Sequence, residues 1–289
     1  MSPAAAKATH AEKQYTDPWG VVITYDEYLV KKPRAVIQIA HGLGEHAARY
    51  AGLAAALNSA GFSVYAPDER GHGRTGVQQW GGDLSKLGHL GPGGLRAAIA
   101  NITHMTNIIR EENPKVPVVL LGHSWGSLMG QILINDHAGD YDAVILSGTA
   151  YRVPGFMEAG DLNRKFKVPG GTGHEWLSRD PEVWRAFKAD PWCFDAKTMQ
   201  LFGVPDTLRL IGVPSKSMAE VPILIIIGER DSLGGEKSVK KLADAYLAAG
   251  QNDVTVTIYP DGRHELFNET NKQEVIDDLI AWVDERVKS

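Results

Sequence analysis

The chemistry of this chain centres on Gly122-His123-Ser124-Trp125-Gly126, which follows the apolar run Val118-Val119-Leu120-Leu121 and precedes a helically patterned segment. A G-x-S-x-G turn between strand and helix exposes a serine hydroxyl at the sheet edge. Glycines at its two ends let strand and helix approach closely, and the helix N-terminus favours developing negative charge. Ser124 is read as a nucleophile, against the alternative of a merely structural turn. A hydroxyl is a weak nucleophile and needs a base. Of the ten histidines, His264 follows the last strand pattern in Tyr259-Pro260-Asp261-Gly262-Arg263-His264 and precedes the last helix. In a parallel sheet that loop emerges at the same edge as Ser124, so His264 is the expected base. His41 and His72 lie in Gly-flanked turns and are expected to hold loops. His46, at a helix start, is expected to line a pocket mouth. His123 adjoins the serine, and its side chain is expected to point away from the turn. His10 lies in an N-terminal tail, His89 and His174 in loops, and His104 and His137 in helical patterns.

The base needs a carboxylate that fixes its tautomer and stabilises the imidazolium. Asp231 closes Ile225-Ile226-Ile227-Gly228-Glu229-Arg230-Asp231, in the loop after the preceding strand. Glu229 is the second choice, with a solvated loop charge as its plainer reading. An oxyanion needs two preorganised N–H donors. Trp125, after the nucleophile, is one candidate, and Leu43 in His41-Gly42-Leu43-Gly44 is the other. That loop lacks the G-x-x-x-x-G-K-[ST] of a phosphate cradle, and the chain carries no H-E-x-x-H, EF-hand loop or dinucleotide glycine fingerprint. No cofactor and no metal are expected.

The elements that must position these residues alternate. Short β-branched runs at Ala35–Ala40, Ser63–Ala66, Val116–Leu121, Ala143–Ser147, Pro222–Ile227 and Val254–Tyr259 read as buried parallel strands. Helical patterns fall at His46–Ala60, Gly94–Glu112, Ser127–His137, Glu236–Ala249 and Lys272–Val287, with Gly61 and Gly250 where helices should stop. Val21–Ile23 and Tyr28–Val30 suggest a hairpin around Thr24–Glu27. The pattern predicts an α/β fold with a mostly parallel central sheet and helices on both faces. Its expected parts are a frayed tail over 1–15, a core over 16–150, a helical cap or lid over 151–219, and the remainder of the core over 220–289. The 151–219 interval is too long for a simple connection and is broken by six prolines.

Composition bounds the partners. The 289 residues carry a net charge of −5 and are 43% hydrophobic and 22% charged, which are globular values. The mild acidity argues against nucleic acid as a partner. The lone Cys193 excludes an intrachain disulfide and a cysteine-based zinc cluster. The N-terminal stretch lacks a signal-type apolar core, and the longest apolar run, Val221–Ile227, is far short of the roughly 20 residues of a membrane span. A cytoplasmic setting is expected.

Five blocks in order, HGLGEHAARY (41–50), PDERGHGRTG (67–76), GHSWGS (122–127), GERDSLGG (228–235) and YPDGRHELFNE (259–269), resemble the monoacylglycerol lipase and lysophospholipase branch of the α/β-hydrolases, the serine aminopeptidase S33 type. The resemblance runs from about Val21 to Val287. It implies the α/β-hydrolase fold, a triad of Ser124, Asp231 and His264, oxyanion donors at Leu43 and Trp125, and hydrolysis of carboxylic esters with one polar end, typically monoglycerides, without a cofactor. Trp125 departs from the smaller or unbranched residue usual there, so the resemblance implies a narrower acyl channel. Glu45 and Arg49 match a pair placed near the polar end of the site in this family; they are also four apart on an expected helix, the spacing of a surface ion pair. Eight of the 14 Trp and Phe residues fall within Tyr151–Ala219, which suits an apolar lid over acyl chains or aromatic acids. Trp184 and Phe187 are selected as the rings facing substrate, and transient contact of the cap with a lipid surface is expected. The competing readings are a lysophospholipase, a peptidase using the same triad, and a ligand receptor that retained the fold.

Overall fold

Runs of β-branched and aliphatic residues become the strands of one eight-stranded sheet in the computed structural model, which describes residues 8–158 and 160–287. The strands are β1 (Thr9–Thr16), β2 (Val22–Leu29), β3 (Val36–Ala40), β4 (Ser63–Pro67), β5 (Val118–His123), β6 (Ala143–Ser147), β7 (Ile223–Gly228) and β8 (Val254–Tyr259), in spatial order β1-β2-β4-β3-β5-β6-β7-β8. Strands β4 through β8 of that order run parallel, and β1 and β2 join antiparallel. The α/β-hydrolase fold expected from the sequence is present.

The helices are α1 (Ala51–Ser59), α2 (Gly73–Gln79), α3 (Gly94–Glu112), α4 (Trp125–His137), α5 (Pro181–Ala189), α6 (Thr198–Arg209), α7 (Gly235–Ala248) and α8 (Lys272–Arg286). Side chains alternate across each strand, so one strand feeds two cores. Val118 and Leu120 of β5 pack with residues of α3, α4 and α7, whereas Val119 and Leu121 pack with α1 and α8. Burial on both faces is why the central strands read as near-continuous apolar runs.

Two expectations at the N-terminal edge fail. The tail expected over 1–15 gives way to β1 from Thr9, whose side chains are almost all exposed; residues 1–7 lie outside the described residues. Thr24–Glu27 is no turn. It lies inside the continuous strand β2, which pairs along its whole length with β1. The polar residues Thr24, Asp26 and Glu27 are buried there by partners: Arg74 binds Asp26 and Lys13 binds Glu27. The helix expected from His46 begins instead as a 3-10 turn at Ala47–Tyr50 before α1. Helix α2 is unexpected, since Gly73 and Gly76 lower its helical propensity.

Between β6 and β7 the insertion holds a 3-10 turn at Glu175–Leu177, then α5 and α6, and no strand among the described residues. Helix α6 is broken at Gly203, where φ is +70°. The insertion leaves and rejoins the core at one place. Arg152 Nη1 donates to the Leu210 carbonyl at 2.9 Å, and the Gly212 N–H donates to the Arg152 carbonyl at 2.8 Å. Gln131 of α4 fastens this clasp to the core through the Ala150 carbonyl and the Arg152 Nε.

Candidate active site

Ser124, Asp231 and His264 follow β5, β7 and β8, whose C-terminal ends lie side by side or one strand apart along the parallel edge. Ser124 holds φ 51° and ψ −121°, a conformation that costs a non-glycine residue about 1–3 kcal/mol. The turn closes because its flanks are bare. A Cβ on Gly122 would stand 2.8 Å from the Ser127 Cα, and one on Gly126 would strike the Ala40 and His41 carbonyls. The 42–46 loop lies directly against the serine, since a Cβ on Gly42 would stand 3.1 Å from the Ser124 Cβ.

His264 Nδ1 is 2.8 Å from Asp231 Oδ2, and the other Asp231 oxygen accepts the Leu233 N–H at 2.8 Å. Both side chains are buried, and His264 Nε2 has no hydrogen-bond partner. Burial disfavours the charged ring, but the charge and hydrogen bond of Asp231, with Glu265 and Glu45 beyond, outweigh it and raise the His264 pKa above its ordinary value. Glu229 is exposed and accepts the Asp261 N–H, as a solvated loop charge would.

The expectation for His123 is overturned. Its ring does not point away but packs 4.8 Å from the His264 ring, and Trp176 of the insertion covers His264 at 4.5 Å. His123 ends β5 with the same parity as Val119 and Leu121, which sends its side chain to the α1 and α8 face. Burial, then the neighbouring His264, lower its pKa to about 4, so this ring stays neutral. Neither Trp176 nor Glu265 was singled out from sequence. Glu265 follows the expected base directly, which was the available signal; Trp176 was one of the eight rings of the insertion, with nothing to set it apart.

His41 and His72 do hold loops. His41 binds the Gly42 carbonyl and accepts the Glu69 N–H at 2.9 Å, and His72 binds the Arg70 carbonyl. Asp68 joins the two turns by accepting from the Ala47 and Arg74 N–H groups. His46 is buried against the insertion and lies 2.8 Å from Asp190. Glu45 and Arg49 form neither a surface pair nor a free one. Arg49 bridges Glu45 at 2.8 Å and Glu265 at 2.6 Å, while Glu45 also accepts the Gly42 N–H and the Tyr50 hydroxyl. Burial would raise the Glu45 pKa, but Arg49 wins and lowers it to about 2.

Trp125 is buried between His72 and Phe202, with ring centroids at 5.3 and 5.5 Å. Leu43 is half-buried against the same core. Of the rings in the insertion, Trp176 meets His264, Phe202 meets Trp125 and Phe194 meets His72. Trp184 and Phe187 are buried elsewhere: Phe187 packs on His174 and Arg49, and Trp184 under Arg185. Beside Phe202 a groove of about 430 Å³ is lined by Trp80, Leu90 and Leu201 together with the polar Lys86, His89 and Asp206.

The family model for serine aminopeptidase, S33, matches residues 31–271. The chain is 32% identical over 289 residues to a monoacylglycerol lipase of Mycolicibacterium smegmatis, covering 96% of this chain and 98% of the relative. It is 25% identical over 272 residues to the monoglyceride lipase of Homo sapiens, covering 88% and 84%. A carboxyl esterase from Bacillus coagulans superposes with a TM-score of 0.84 at 24% identity, over 97% of this chain and all of that one, which is a likeness of fold. With a family match across most of the sheet and a relative aligned nearly end to end, the chain belongs to the serine aminopeptidase S33 family of the α/β-hydrolases.

Proposed function

We propose that the chain is a serine ester hydrolase cleaving monoacylglycerols or similar small acyl or aromatic monoesters through an acyl-enzyme. The observation that carries this reading is the Asp231–His264 pair at 2.8 Å with a buried, unpartnered Nε2, at the same sheet edge as a serine held in a strained turn. In this mechanism His264 Nε2 takes the Ser124 proton as the oxygen attacks the ester carbonyl. The carbonyl oxygen becomes an alkoxide held by the N–H groups of Trp125 and Leu43. Trp125 opens α4, where first-turn N–H groups lack intrahelical acceptors. His264 then returns the proton to the leaving alkoxide. Water deacylates Ser124 by the same steps in reverse, and Asp231 stabilises the imidazolium in both halves.

Ester rather than peptide cleavage is favoured by the rings that the insertion brings to the site, Trp176 on His264 and Phe202 on Trp125, which suit an apolar acyl group. The insertion serves as the cap, with Trp176, Phe194 and Phe202 in place of Trp184 and Phe187 as the rings facing the acyl group. The groove beside Phe202 takes the chain. Met199, Val204, Leu208, Ile211 and Val213 are exposed on and after α6, a surface suited to transient contact with lipid. No helix among the described residues is long and apolar enough to cross a membrane; a cytoplasmic setting belongs to the same proposal. The test is a hydrolysis panel of monoglycerides, p-nitrophenyl esters of graded length, lysophospholipids and aminoacyl amides, with fluorophosphonate labelling of the serine. Turnover of the first two classes is expected. Faster turnover of aminoacyl amides, or labelling without turnover, would overturn the reading in favour of a peptidase or a receptor.

A further inference from the structure

At the far end of the 42–46 loop, where the insertion meets it, three side chains of metal-binding type converge. His46, Asp190 and Cys193 each offer a ligand atom, and these atoms all lie within 4.8 Å of one another. Asp190 Oδ2 already lies 2.8 Å from His46 Nε2. The His46 ring is 4% exposed, and its other nitrogen has no hydrogen-bond partner. Asp190 and Cys193 are fixed relative to each other by a turn: the Cys193 N–H donates to the Asp190 carbonyl at 3.2 Å, and Asp190 Oδ1 accepts the Trp192 N–H at 2.9 Å. The turn occupies Oδ1 and leaves Oδ2 facing the imidazole. Trp192 closes one side, edge-on to His46 at 5.3 Å.

We propose that His46, Asp190 and Cys193 bind one zinc-type divalent cation that pins the insertion to the 42–46 loop. One nitrogen, one carboxylate oxygen and one sulfur suit zinc, which takes such mixed sets at four-coordinate sites, with water in the fourth position. Bonds of about 2.0–2.3 Å in a tetrahedron place ligands roughly 3.3–3.7 Å apart, so small side-chain rotations bring these three atoms into range. Uptake exchanges the Cys193 S–H for a metal–sulfur bond and releases that proton. Arg49, the nearest cation, is balanced by Glu45 and Glu265.

The position gives the site a consequence. The Phe194 N–H donates to the Gly44 carbonyl at 3.1 Å, so the 190–194 turn already rests on the loop that carries Leu43. A cation at this seam ties both segments together and slows their separation. Since that loop carries Leu43, an oxyanion donor in the function proposed above, a cation that restrains it lowers turnover and acts as a reversible inhibitor.

The test titrates chelator-treated full-length protein with Zn²⁺ by calorimetry and with Co²⁺ by absorbance. One site per chain and a near-ultraviolet thiolate-to-cobalt band are expected. Cys193→Ala should abolish the band and weaken Zn²⁺ binding at least about tenfold, and Asp190→Asn should weaken it as well. Cys193→Ala should keep its metal-free turnover of p-nitrophenyl esters and need at least about tenfold more Zn²⁺ for inhibition. EDTA should restore inhibited wild type and leave the untreated rate unchanged. Absence of the band, or equal Zn²⁺ affinity in wild type and Cys193→Ala, would overturn the site; equal affinity would place the metal on other groups such as Asp231 and His264. Zn²⁺ binding that leaves turnover unchanged would overturn the inhibitory role. Failure to hydrolyse any ester would count against the proposed function alone, since the binding measurements do not depend on it.

Discussion

Ser124 and His264 are held in unlike ways, and each makes a distinct prediction. The Ser124 turn is closed by its neighbours' backbone and not by its hydroxyl. Ser124→Ala should therefore fold normally and lose at least about 10³-fold in kcat, checked by circular dichroism beside ester hydrolysis. His264 must be neutral to accept a proton. Its pKa is raised, so kcat/KM should rise with pH through a midpoint above the ordinary imidazole value of about 6.5. Asp231→Asn removes the charge that raises it. That variant should lose about 10⁴-fold in rate, and its residual activity should titrate at lower pH. An acid limb unmoved by Asp231→Asn would show that another group controls the profile; His123, whose pKa burial and His264 lower to about 4, is a poor candidate.

At the scale of elements, the ring contacts His72–Trp125–Phe202 join the insertion to the Ser124 turn, and in the proposed function they set where an acyl chain fits. Each buried methylene is worth about 0.8 kcal/mol, roughly fourfold in affinity, until the groove is full. Phe202→Ala should shift the preferred ester length by one or more carbons while changing acetate ester turnover little. Trp184→Ala, deeper in the insertion, should lower stability without moving the preference. A chain-length series of p-nitrophenyl esters measured on both variants checks this. The elements differ in how openly they declare themselves. Ala143–Ser147 ends where the sequence pattern ends, because a strand flanked on both sides needs continuous apolar residues; Val254–Tyr259 is an edge strand, and its β-branched run of Val, Thr and Ile marks it instead. Thr9–Thr16 could not be read that way, since an exposed edge strand carries polar residues on both faces. Local motifs and chain order pointed to Ser124, Asp231 and His264, and the structure brings Asp231 and His264 into contact. His123, Trp176 and Phe202 act through contacts between segments far apart in sequence, and periodicity carries no information about such contacts. Trp184 and Phe187 were selected from composition, which locates rings in the insertion but not the direction they face; Phe187 packs on His174 and Arg49 and Trp184 under Arg185.

For the molecule as a whole, the 67–76 loop sets a dependence of stability on pH. Glu69 is fully buried, and burial, then the Asp68 charge, push its pKa up to about 8. Between the ordinary carboxylate value near 4.5 and that figure, the folded chain keeps a proton that the unfolded chain has lost. Stability from this group is full below about pH 4.5 and falls as pH rises through 8. Glu69→Gln should flatten that fall and raise Tm at pH 8 by about 2–4 °C per kcal/mol recovered, with little change at pH 5. Thermal melts at the two pH values decide it. The clasp at Arg152 bears on heredity. Because Leu210 and Gly212 meet Arg152 directly, the whole 151–219 excursion is a loop with its ends already joined. Lengthening such a loop costs only about 0.6 kcal/mol per doubling. Related hydrolases can thus exchange this segment for one of another size, and with it the range of esters they accept, while the register from β6 to β7 passes unchanged from parent to chimera.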